Sequence, residues 1–368
     1  MIGTLLAAFD SFLGRGKYSA SVPVMDGPLQ PNQALEEAEL LMAAPGLDNL
    51  VAVGDALYFS SGSKLLRLDA NGSHEKIATY DQEITCVAAD ELSGFAVGLD
   101  RSGIVIDGGR HGGQKIRTLG NAPFICPTSA VYLDANTLVV TSGSRSLPNS
   151  EWKRDLMTLG KSGSVWKIDL RNGSQQLMKS ALAYPCGLAK LDGHDVLVSE
   201  AWGHRLLHIG QDPATPARAV VDDLPGYPSR LLPAAHGGYW LTIFAPRNQL
   251  SEFVLQERGY CDQMIDKVDP AYWVAPALSG GVSFKEVLQY GAVKRMGVRK
   301  AWAPTWSYGL VILLGSDFHP IASWHSRADG IRHGITSIAN YRGKVIVGSK
   351  GAGQALVLDT GQAPREYA

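Results

Sequence analysis

The sequence has no surplus of charge of either sign. Its 368 residues include 34 lysines and arginines and 35 aspartates and glutamates, which give a formal net charge of −1. Nucleic acids and anionic membranes attract proteins that carry a strong basic field, and this composition does not supply one. Neither is therefore expected as the main partner.

Long apolar runs are also missing. No stretch approaches the roughly 18 apolar residues that a membrane-spanning helix needs. The N-terminal stretch, MIGTLLAAFDSFLGRGK, lacks leading basic residues and is interrupted by Asp10. It is typical of a short amphipathic helix rather than of a signal peptide. We therefore expect no membrane span and a cytoplasmic location.

Cysteine is scarce and unpaired in sequence. The chain has four widely spaced cysteines, Cys86, Cys126, Cys186 and Cys261, and no CxxC motif. This spacing does not match zinc ligands. A chain of this length can bury enough core to fold without disulfides, so reduced thiols in a reducing compartment are expected.

What the sequence does contain is a unit that recurs from one end to the other. Each unit has short alternating strands rich in Val, Leu, Ile and Tyr, separated by Asp-Gly, Asn-Gly or Gly-Gly turns. The six units begin at Val51, Cys86, Thr128, Cys186, Ser229 and Thr336. Units of about 40 residues with about four strands are typical of propeller blades. The sequence therefore predicts an all-β six-bladed β-propeller, in preference to a β-sandwich or two stacked β domains.

Two stretches interrupt the repeat. Residues 147–160, LPNSEWKRDLMTLG, form an insertion in the third unit. Residues from 250 to about 298 contain apolar positions at helical spacing, in LSEFVLQERGYCDQMIDKV and GVSFKEVLQYGAVKRMG. This stretch predicts a helical insertion between late blades, a cap that either lines a pocket or only covers one channel mouth. Residues 1–45 are expected to be helical or extended and to pack on a propeller spanning residues 46–368.

From Gly27 onward the sequence resembles the strictosidine synthase-like family, and within it the adipocyte plasma-membrane-associated protein-like members. The resemblance is carried by GPLQPNQALEEAELL, TSGSRSLPNSEWKRDLMTLGKSGSVWKIDL, VLVSEAWGHRLLHI, VDDLPGYPSRLLPAAHGGYWLTIFAPRN and the last unit. A more distant similarity extends to the gluconolactonase and paraoxonase lactonases. The resemblance implies a six-bladed propeller with a small-molecule pocket at the mouth of its central channel.

In the lactonases, the family pattern implies a divalent cation, usually calcium, held by a Glu and several Asn or Asp residues at the starts of the innermost strands. Hard oxygen ligands suit such a cation, which polarises a carbonyl and activates water. At the matching positions this chain has a shorter acid, Asp48, then Thr128, Cys186, and Ser229 followed by Arg230. We therefore expect no cofactor; the alternative is an unconventional calcium site built from Asp48 and backbone carbonyls.

The metal-free condensing enzymes of the family use a Glu on the last blade as acid and base. An ungapped alignment places Thr336 at that position, with Ser337 beside it. A lyase or condensing activity is therefore ranked behind the other readings.

The residues projected onto the channel mouth are Asp48, Cys86, Thr128, Cys186, Ser229, Arg230 and Thr336. Asp48 and Cys186 are the candidate catalytic residues. The candidate substrate-binding residues are Arg230, Ser229, Thr128 and Thr336.

Each of the three reactive residues has more than one interpretation. Cys186 is either a nucleophile, since a neighbouring cation favours the thiolate, or a small buried filler. Asp48 is a general base, or it caps the first turn of its blade, or it forms an ion pair with Arg230. Arg230 accordingly either binds the carboxylate or phosphate of an anionic ligand or pairs with Asp48. Trp202, His204, Tyr239 and Trp240 are expected to pack between blade strands, and Glu200, Lys153, Arg154 and Asp155 to form structural ion pairs.

These observations predict a hydrolase that acts on a small ester or lactone, including anionic ones, without the usual calcium site. The alternative is a metal-free small-molecule binding protein or pseudoenzyme. The two differ in whether the bound molecule is turned over.

Overall fold

Short strands with glycine-rich turns fold into six four-stranded antiparallel sheets, arranged as the blades of a propeller. A computed structural model describes residues 22–69, 72–281, 283, 285–286 and 305–362. The predicted six-bladed β-propeller is confirmed.

The strands are named in chain order. The first thirteen are β1 (Glu39–Ala43), β2 (Leu47–Val53), β3 (Ala56–Ser61), β4 (Lys64–Leu68), β5 (His74–Thr79), β6 (Ile84–Asp90), β7 (Gly94–Leu99), β8 (Gly103–Asp107), β9 (Lys115–Ile116), β10 (Thr118–Leu119), β11 (Ala122–Pro123), β12 (Pro127–Asp134) and β13 (Thr137–Ser142). The remainder are β14 (Gly163–Asp169), β15 (Ser174–Leu182), β16 (Pro185–Lys190), β17 (Val196–Glu200), β18 (Arg205–Ile209), β19 (Arg218–Val221), β20 (Gly226–Pro233), β21 (Tyr239–Pro246), β22 (Leu310–Leu314), β23 (Pro320–His325), β24 (Ile335–Tyr341), β25 (Lys344–Ser349) and β26 (Gln354–Val357).

Five blades are continuous in sequence: β2–β5, β6–β9, β12–β15, β16–β19 and β20–β23. The sixth consists of β24, β25 and β26, with β1 added antiparallel to β26 as its outermost strand. The innermost strands contact one another in a ring that closes between β24 and β2. The sixth blade therefore joins the two ends of the propeller, and the free edge of β26 is covered.

The core lies between the faces of neighbouring blades. Between the sixth and first blades, for example, Leu57 and Phe59 pack with Ile346 and Ala355, and all four are buried. Burial of a large apolar side chain stabilises the fold by about 1.5–3 kcal/mol. Contacts of this kind hold each blade at a fixed angle to the next.

Every innermost strand has a β-bulge near its start. The register shifts fall between Asp48 and Val51, Ile84 and Cys86, Pro127 and Ser129, Pro185 and Gly187, Pro228 and Leu231, and Ile335 and Ser337. A bulge takes its residues out of the ladder and re-aims their side chains. The residues in these bulges are Asn49, Leu50, Thr85, Thr128, Cys186, Ser229, Arg230 and Thr336. Most of the predicted site residues thus share one local backbone feature.

The α-helices of the described residues are short: α1 (Ala34–Glu37), α2 (Trp152–Met157), α3 (Gln249–Gln256) and α4 (Arg258–Lys267). The first predicted insertion contains α2 and joins β13 to β14. The second contains α3 and α4 and leaves the fifth blade between β21 and β22. Its helical character is confirmed over residues 249–267, where the Asn248 side chain caps α3 by accepting from the Leu250 amide at 2.8 Å. The second helix-like run falls almost entirely outside the described residues, and so does the predicted N-terminal helix.

The second insertion packs against the fifth blade. Buried residues from it, Val254, Cys261 and Met264, belong to one apolar cluster with Tyr227 and Phe244 of the fifth blade. In the described part of the chain, no helix combines the length and apolar character that a membrane crossing requires.

Candidate functional site

A cavity opens where the bulges meet the two insertions. It encloses about 500 Å³ of space, part of it continuous with solvent. The residues of its polar floor are Asp48, Thr85, Cys186, Ser229, Arg230, Thr336 and Lys350. Five of the seven residues projected from the sequence therefore lie together, since Asp48, Cys186, Ser229, Arg230 and Thr336 are all in this set.

Asp48 is the most buried charged group of the floor, with 7% of the residue exposed. Its Oδ1 accepts from the Thr336 hydroxyl at 2.7 Å and from the Asn49 amide at 2.8 Å, and its Oδ2 lies 3.2 Å from Lys350 Nζ. Burial opposes ionisation, but the charges of Lys350 and Arg230 and these hydrogen bonds outweigh it, so the pKa of Asp48 is lowered. Asp48 is therefore a fixed carboxylate at neutral pH, and its ion-pair partner among the described residues is Lys350 and not Arg230, the partner that one of the interpretations from the sequence offered.

Lys350 was not singled out in the sequence. It follows β25, and its ammonium lies between Asp48 and Glu83, 3.5 Å from Glu83 Oε1. Burial opposes its charge, but the two carboxylates more than compensate and raise the pKa of Lys350. The side chain is 26% exposed, so this cation remains accessible from the cavity.

Arg230 extends from the fifth blade across the channel. Nη2 donates to Asn49 Oδ1 of the first blade at 3.0 Å and to the Thr85 carbonyl of the second blade at 2.9 Å. Nη1 donates to the Cys186 carbonyl of the fourth blade. The Asn49 side chain is itself held by a 2.9 Å bond to Ser60 Oγ, and its positive φ of 53° is one that asparagine tolerates. Asn49, adjacent to the aligned Asp48, was also missed from the sequence.

Cys186 and Ser229 sit side by side on the floor. Cys186 Sγ lies 3.6 Å from Ser229 Oγ and 3.9 Å from Arg230 Nη1. The Ser229 hydroxyl donates to the Thr336 carbonyl at 3.2 Å. Among the described residues no histidine lines the cavity. His333, for example, is buried between Ser307 Oγ and the Arg327 carbonyl, at 2.8 and 2.7 Å.

Two projected residues lie away from this floor. Cys86 is one position beyond the bulge residue Thr85; its thiol packs against Gly98, and burial raises its pKa to about 11. Thr128 is a bulge residue, but its hydroxyl donates to the Pro185 carbonyl at 2.6 Å and joins the third blade to the fourth. Neither belongs to the described lining of the cavity. The role predicted for Thr128 in substrate binding stays a prediction.

The other lining residues form an apolar wall. It is formed by Trp152, Tyr184, Trp202, Phe244 and Leu278, with Asn149 beside them. Tyr184 and Trp202 stack with ring centroids 4.4 Å apart, and Trp152 meets Phe244 edge to face at 5.5 Å. Both insertions contribute to this wall, through Trp152 in α2 and through Leu278.

Hydrogen bonds to buried groups hold the wall in place. Trp202 Nε1 donates to Asp155 Oδ1 at 2.8 Å, and Asn149 Nδ2 donates to the Tyr184 hydroxyl at 3.1 Å. Burial raises the pKa of Asp155 above its ordinary value. Glu200 has no place in the cavity lining that the structure describes; it is fully buried and pairs with Arg205 within the same blade.

The oxygen atoms of the floor determine whether it can hold the calcium ion that the resemblance implies. Asn49 Oδ1 and the carbonyls of Thr85 and Cys186 all accept from the Arg230 guanidinium, the first two from Nη2 and the third from Nη1. In the described ranges no three His, Cys, Asp or Glu side chains are grouped as metal ligands. With Arg230 in place, these residues do not fit a calcium ion.

Replacement of Asp48 by asparagine is expected to lower stability by about 1–3 kcal/mol near neutral pH, because it leaves Lys350 without its most buried partner. The folded pKa of Asp48 lies below the ordinary value of 3.8, so its contribution is present above that pH and is lost as the pH falls through the folded pKa. The contribution of Lys350 is present below its ordinary 10.5 and is lost as the pH rises through its higher folded pKa. Denaturant unfolding of wild type and Asp48→Asn should thus differ most between about pH 5 and pH 9. A constant difference down to about pH 2 would contradict the assignment.

No family model matches the chain. It is 26% identical to the rat adipocyte plasma membrane-associated protein over 279 residues, which cover 67% of this chain and 73% of the rat protein. The zebrafish protein of the same name is 23% identical over 355 residues, covering 89% and 79% of the two chains. The resemblance predicted from the sequence is confirmed by these relatives.

Three solved structures that superpose on the chain are 11–12% identical to it in sequence and thus show the fold alone. A gluconolactonase from Xanthomonas campestris superposes with a TM-score of 0.56, covering 91% of this chain and 96% of that one. A calcium-binding regucalcin from Agrobacterium tumefaciens gives 0.52, with coverages of 88% and 93%. A luciferin-regenerating enzyme gives 0.51, with coverages of 86% and 92%. The chain therefore has a lactonase-like propeller fold.

Proposed function

We propose that this protein binds a small organic molecule at the channel mouth and hydrolyses an ester or lactone group in it without a bound calcium ion. The observation that carries the proposal is the pairing of a charged floor with an aromatic wall in one cavity. Small-molecule sites typically combine an apolar lining with a few fixed polar groups.

The charges of the floor suit a ligand with a carbonyl or an anionic group. The lining contains Asp48, Arg230 and Lys350, so the cations outnumber the carboxylate by one in the described part. Because most donors of Arg230 are already used by the protein, Lys350 is the more accessible cation. The ligand's apolar part would lie against Tyr184 and Trp202, with its polar end towards Lys350.

In the hydrolytic reading, Asp48 orients a water molecule and accepts its proton as the water oxygen attacks the carbonyl carbon. Lys350 and Arg230 supply positive charge beside the oxyanion that forms. The carbon–oxygen bond of the ester then breaks, and the departing oxygen takes up the proton. Cys186 is the alternative nucleophile; attack by its sulfur would give an acyl-enzyme that water must cleave.

Binding without turnover is the second candidate, and a specific observation favours it. Among the described residues, the hydrogen-bond neighbours of the Cys186 thiol are the Ser229 hydroxyl and the Arg230 guanidinium, and neither can accept its proton as a general base. The lowered pKa of Asp48 makes it a weak base as well. The same cavity would then recognise a metabolite and release it unchanged.

A panel of small lactones and esters, assayed near neutral pH with EDTA present, distinguishes hydrolysis from binding without turnover. If the protein is a metal-independent hydrolase, turnover persists in EDTA, and Asp48→Asn lowers kcat/KM by about 100-fold or more. Calorimetric binding of the matching lactam should change far less in that variant. Asp169→Asn, which removes a half-buried carboxylate that is paired with Arg171 and does not line this cavity, is the control and should keep wild-type turnover.

Three outcomes of these assays would change the assignment. Unchanged turnover in Asp48→Asn with loss of activity in Cys186→Ser would transfer the role to the thiol. Tight binding with complete recovery of intact ligand would favour the binding protein. Absence of both binding and turnover across the panel would overturn the proposed site.

A reducing, cytoplasmic compartment is also proposed. All four cysteines are free, and three of them are buried. Titration of thiols in the freshly isolated, denatured protein should therefore find four per chain, whereas a lower count would argue for an oxidising compartment.

A further inference from the structure

The channel of this propeller contains a cation that is part of the chain. The acceptors around the Arg230 guanidinium are one amide oxygen and two backbone carbonyl oxygens, from the first, second and fourth blades. Its own backbone is fixed in the fifth blade, where its amide donates to Thr242 Oγ1 at 2.9 Å. One side chain therefore connects four of the six blades.

The oxygen acceptors around this guanidinium are stabilised by its positive charge, and a cation other than arginine would supply the same charge. Carbonyl oxygens that converge from several blades repel one another unless a cation lies between them, and the carboxylate of Asp48 adds to the negative potential. Neutral amide and carbonyl oxygens together with a nearby carboxylate are also the ligands that a hard divalent cation prefers.

We infer that Arg230 is the resident cation of the channel: it holds the innermost strands together as a bound metal ion would, and its removal uncovers an oxygen-lined site that accepts a divalent cation. This inference does not depend on the proposed hydrolysis. Arg230 occupies the side of the floor nearest the channel axis, whereas Lys350 is the cation that faces a ligand.

The test compares the full chain with Arg230→Ala in thermal unfolding and calcium titration calorimetry. The wild type should bind no calcium, and its Tm should not respond to the ion. The Tm of the variant should fall by roughly 5 °C and recover in part with about 5 mM calcium, a concentration above the dissociation constants of about 0.1–1 mM typical of weak sites. Terbium luminescence gives an independent readout of the same site.

Two variants separate the charge from the loss of packing. Arg230→Lys keeps a cation and should bind no calcium. Arg171→Ala, which removes an exposed arginine, should leave both the Tm and the calcium response as in wild type.

Three results would overturn the inference: calcium binding by the wild type at this site, no calcium response in a folded Arg230→Ala protein, or an unchanged Tm in the uncharged variant Arg230→Gln. The last measurement applies even when Arg230→Ala does not fold. Loss of ester hydrolysis in any of these variants would bear on the proposed function and leave the inference about the cation unaffected.

Discussion

Replacement of Gly187 by alanine is expected to destabilise the propeller by about 3 kcal/mol or more. Gly187 follows the bulge at Cys186 in β16, and a Cβ atom there would lie 2.0 Å from the Ser229 carbonyl oxygen and 2.9 Å from Ser199 Oγ. That carbonyl belongs to the next blade and accepts from the Ser199 hydroxyl at 2.6 Å. Because the closest atom is backbone, no rotamer change relieves the clash, and the fourth and fifth blades must move apart. Urea unfolding followed by circular dichroism measures the loss.

Gly259→Ala is the matched control for this change. The glycine lies in α4, its φ is not positive, and an added Cβ would meet nothing within 4 Å. Alanine is a better helix former, so stability should be unchanged or slightly higher. If the two variants had equal stability, the close approach of the fourth and fifth blades at Gly187 would be refuted. The displaced strand carries Cys186, so ligand binding should fall together with stability in Gly187→Ala.

The blades were predictable because their signal is local. Alternating apolar residues and glycine turns repeat at blade spacing, and the predicted unit starts lie close to the observed strands: Val51 against Leu47 in the first blade and Thr336 against Ile335 in the sixth. The contribution of β1 was not predictable in the same way. Its partner β26 is far away in sequence, and a five-residue strand has no periodicity that identifies the partner.

The floor residues were predicted through the resemblance, and the errors in that prediction follow from the bulges. A bulge shifts register by one residue, which is why Thr85 and not Cys86 lies at the cavity, and why Asn49 accompanies Asp48. Lys350 reaches Asp48 only because the sixth blade closes against the first, a contact that no local pattern encodes.

The aromatic wall was missed for a related reason. Trp202 was expected to pack between blade strands. Its ring does contact Tyr227 of the fifth blade, but it also lines the cavity beside Trp152 from the first insertion. Such a wall is assembled from four separate parts of the chain: the two insertions, the fourth blade and the fifth blade. Its members become a site only when the fold brings them together.

Acidification is expected to destabilise the wild type by about 2 kcal/mol between pH 7 and pH 5 through one residue, His204. The side chain is 12% exposed; it contacts the ring of Tyr227 at 4.7 Å and is bonded through Nδ1 to the Gly226 carbonyl at 3.2 Å. Burial and the charge of Arg247 lower its pKa from 6.5 to about 3. Glu252, 3.7 Å from the ring, does not reverse this, because its carboxylate is already paired with Arg247.

The direction of this pH effect follows from the pKa of His204 in the unfolded chain, 6.5, and in the folded chain, about 3. Between pH 6.5 and about 3 the unfolded chain binds a proton at His204 and the folded chain does not, so stability falls as the pH decreases through this window. Asparagine suits the positive φ of 51° at this position and cannot titrate. His204→Asn should therefore be less stable than wild type near neutral pH, because packing against Tyr227 is lost, and the gap should close as the pH approaches 5.

Urea unfolding of both proteins from about pH 7.5 to pH 4.5 measures this difference in slope. His194→Asn is the matched control, because His194 has a similar φ of 72° but lies in a surface turn rather than beside Tyr227 and Arg247. Its slope should follow that of the wild type. Parallel slopes for wild type and His204→Asn would mean that His204 is protonated within the fold, and the buried contact between the fourth blade and α3 would then have to be an ion pair with Glu252.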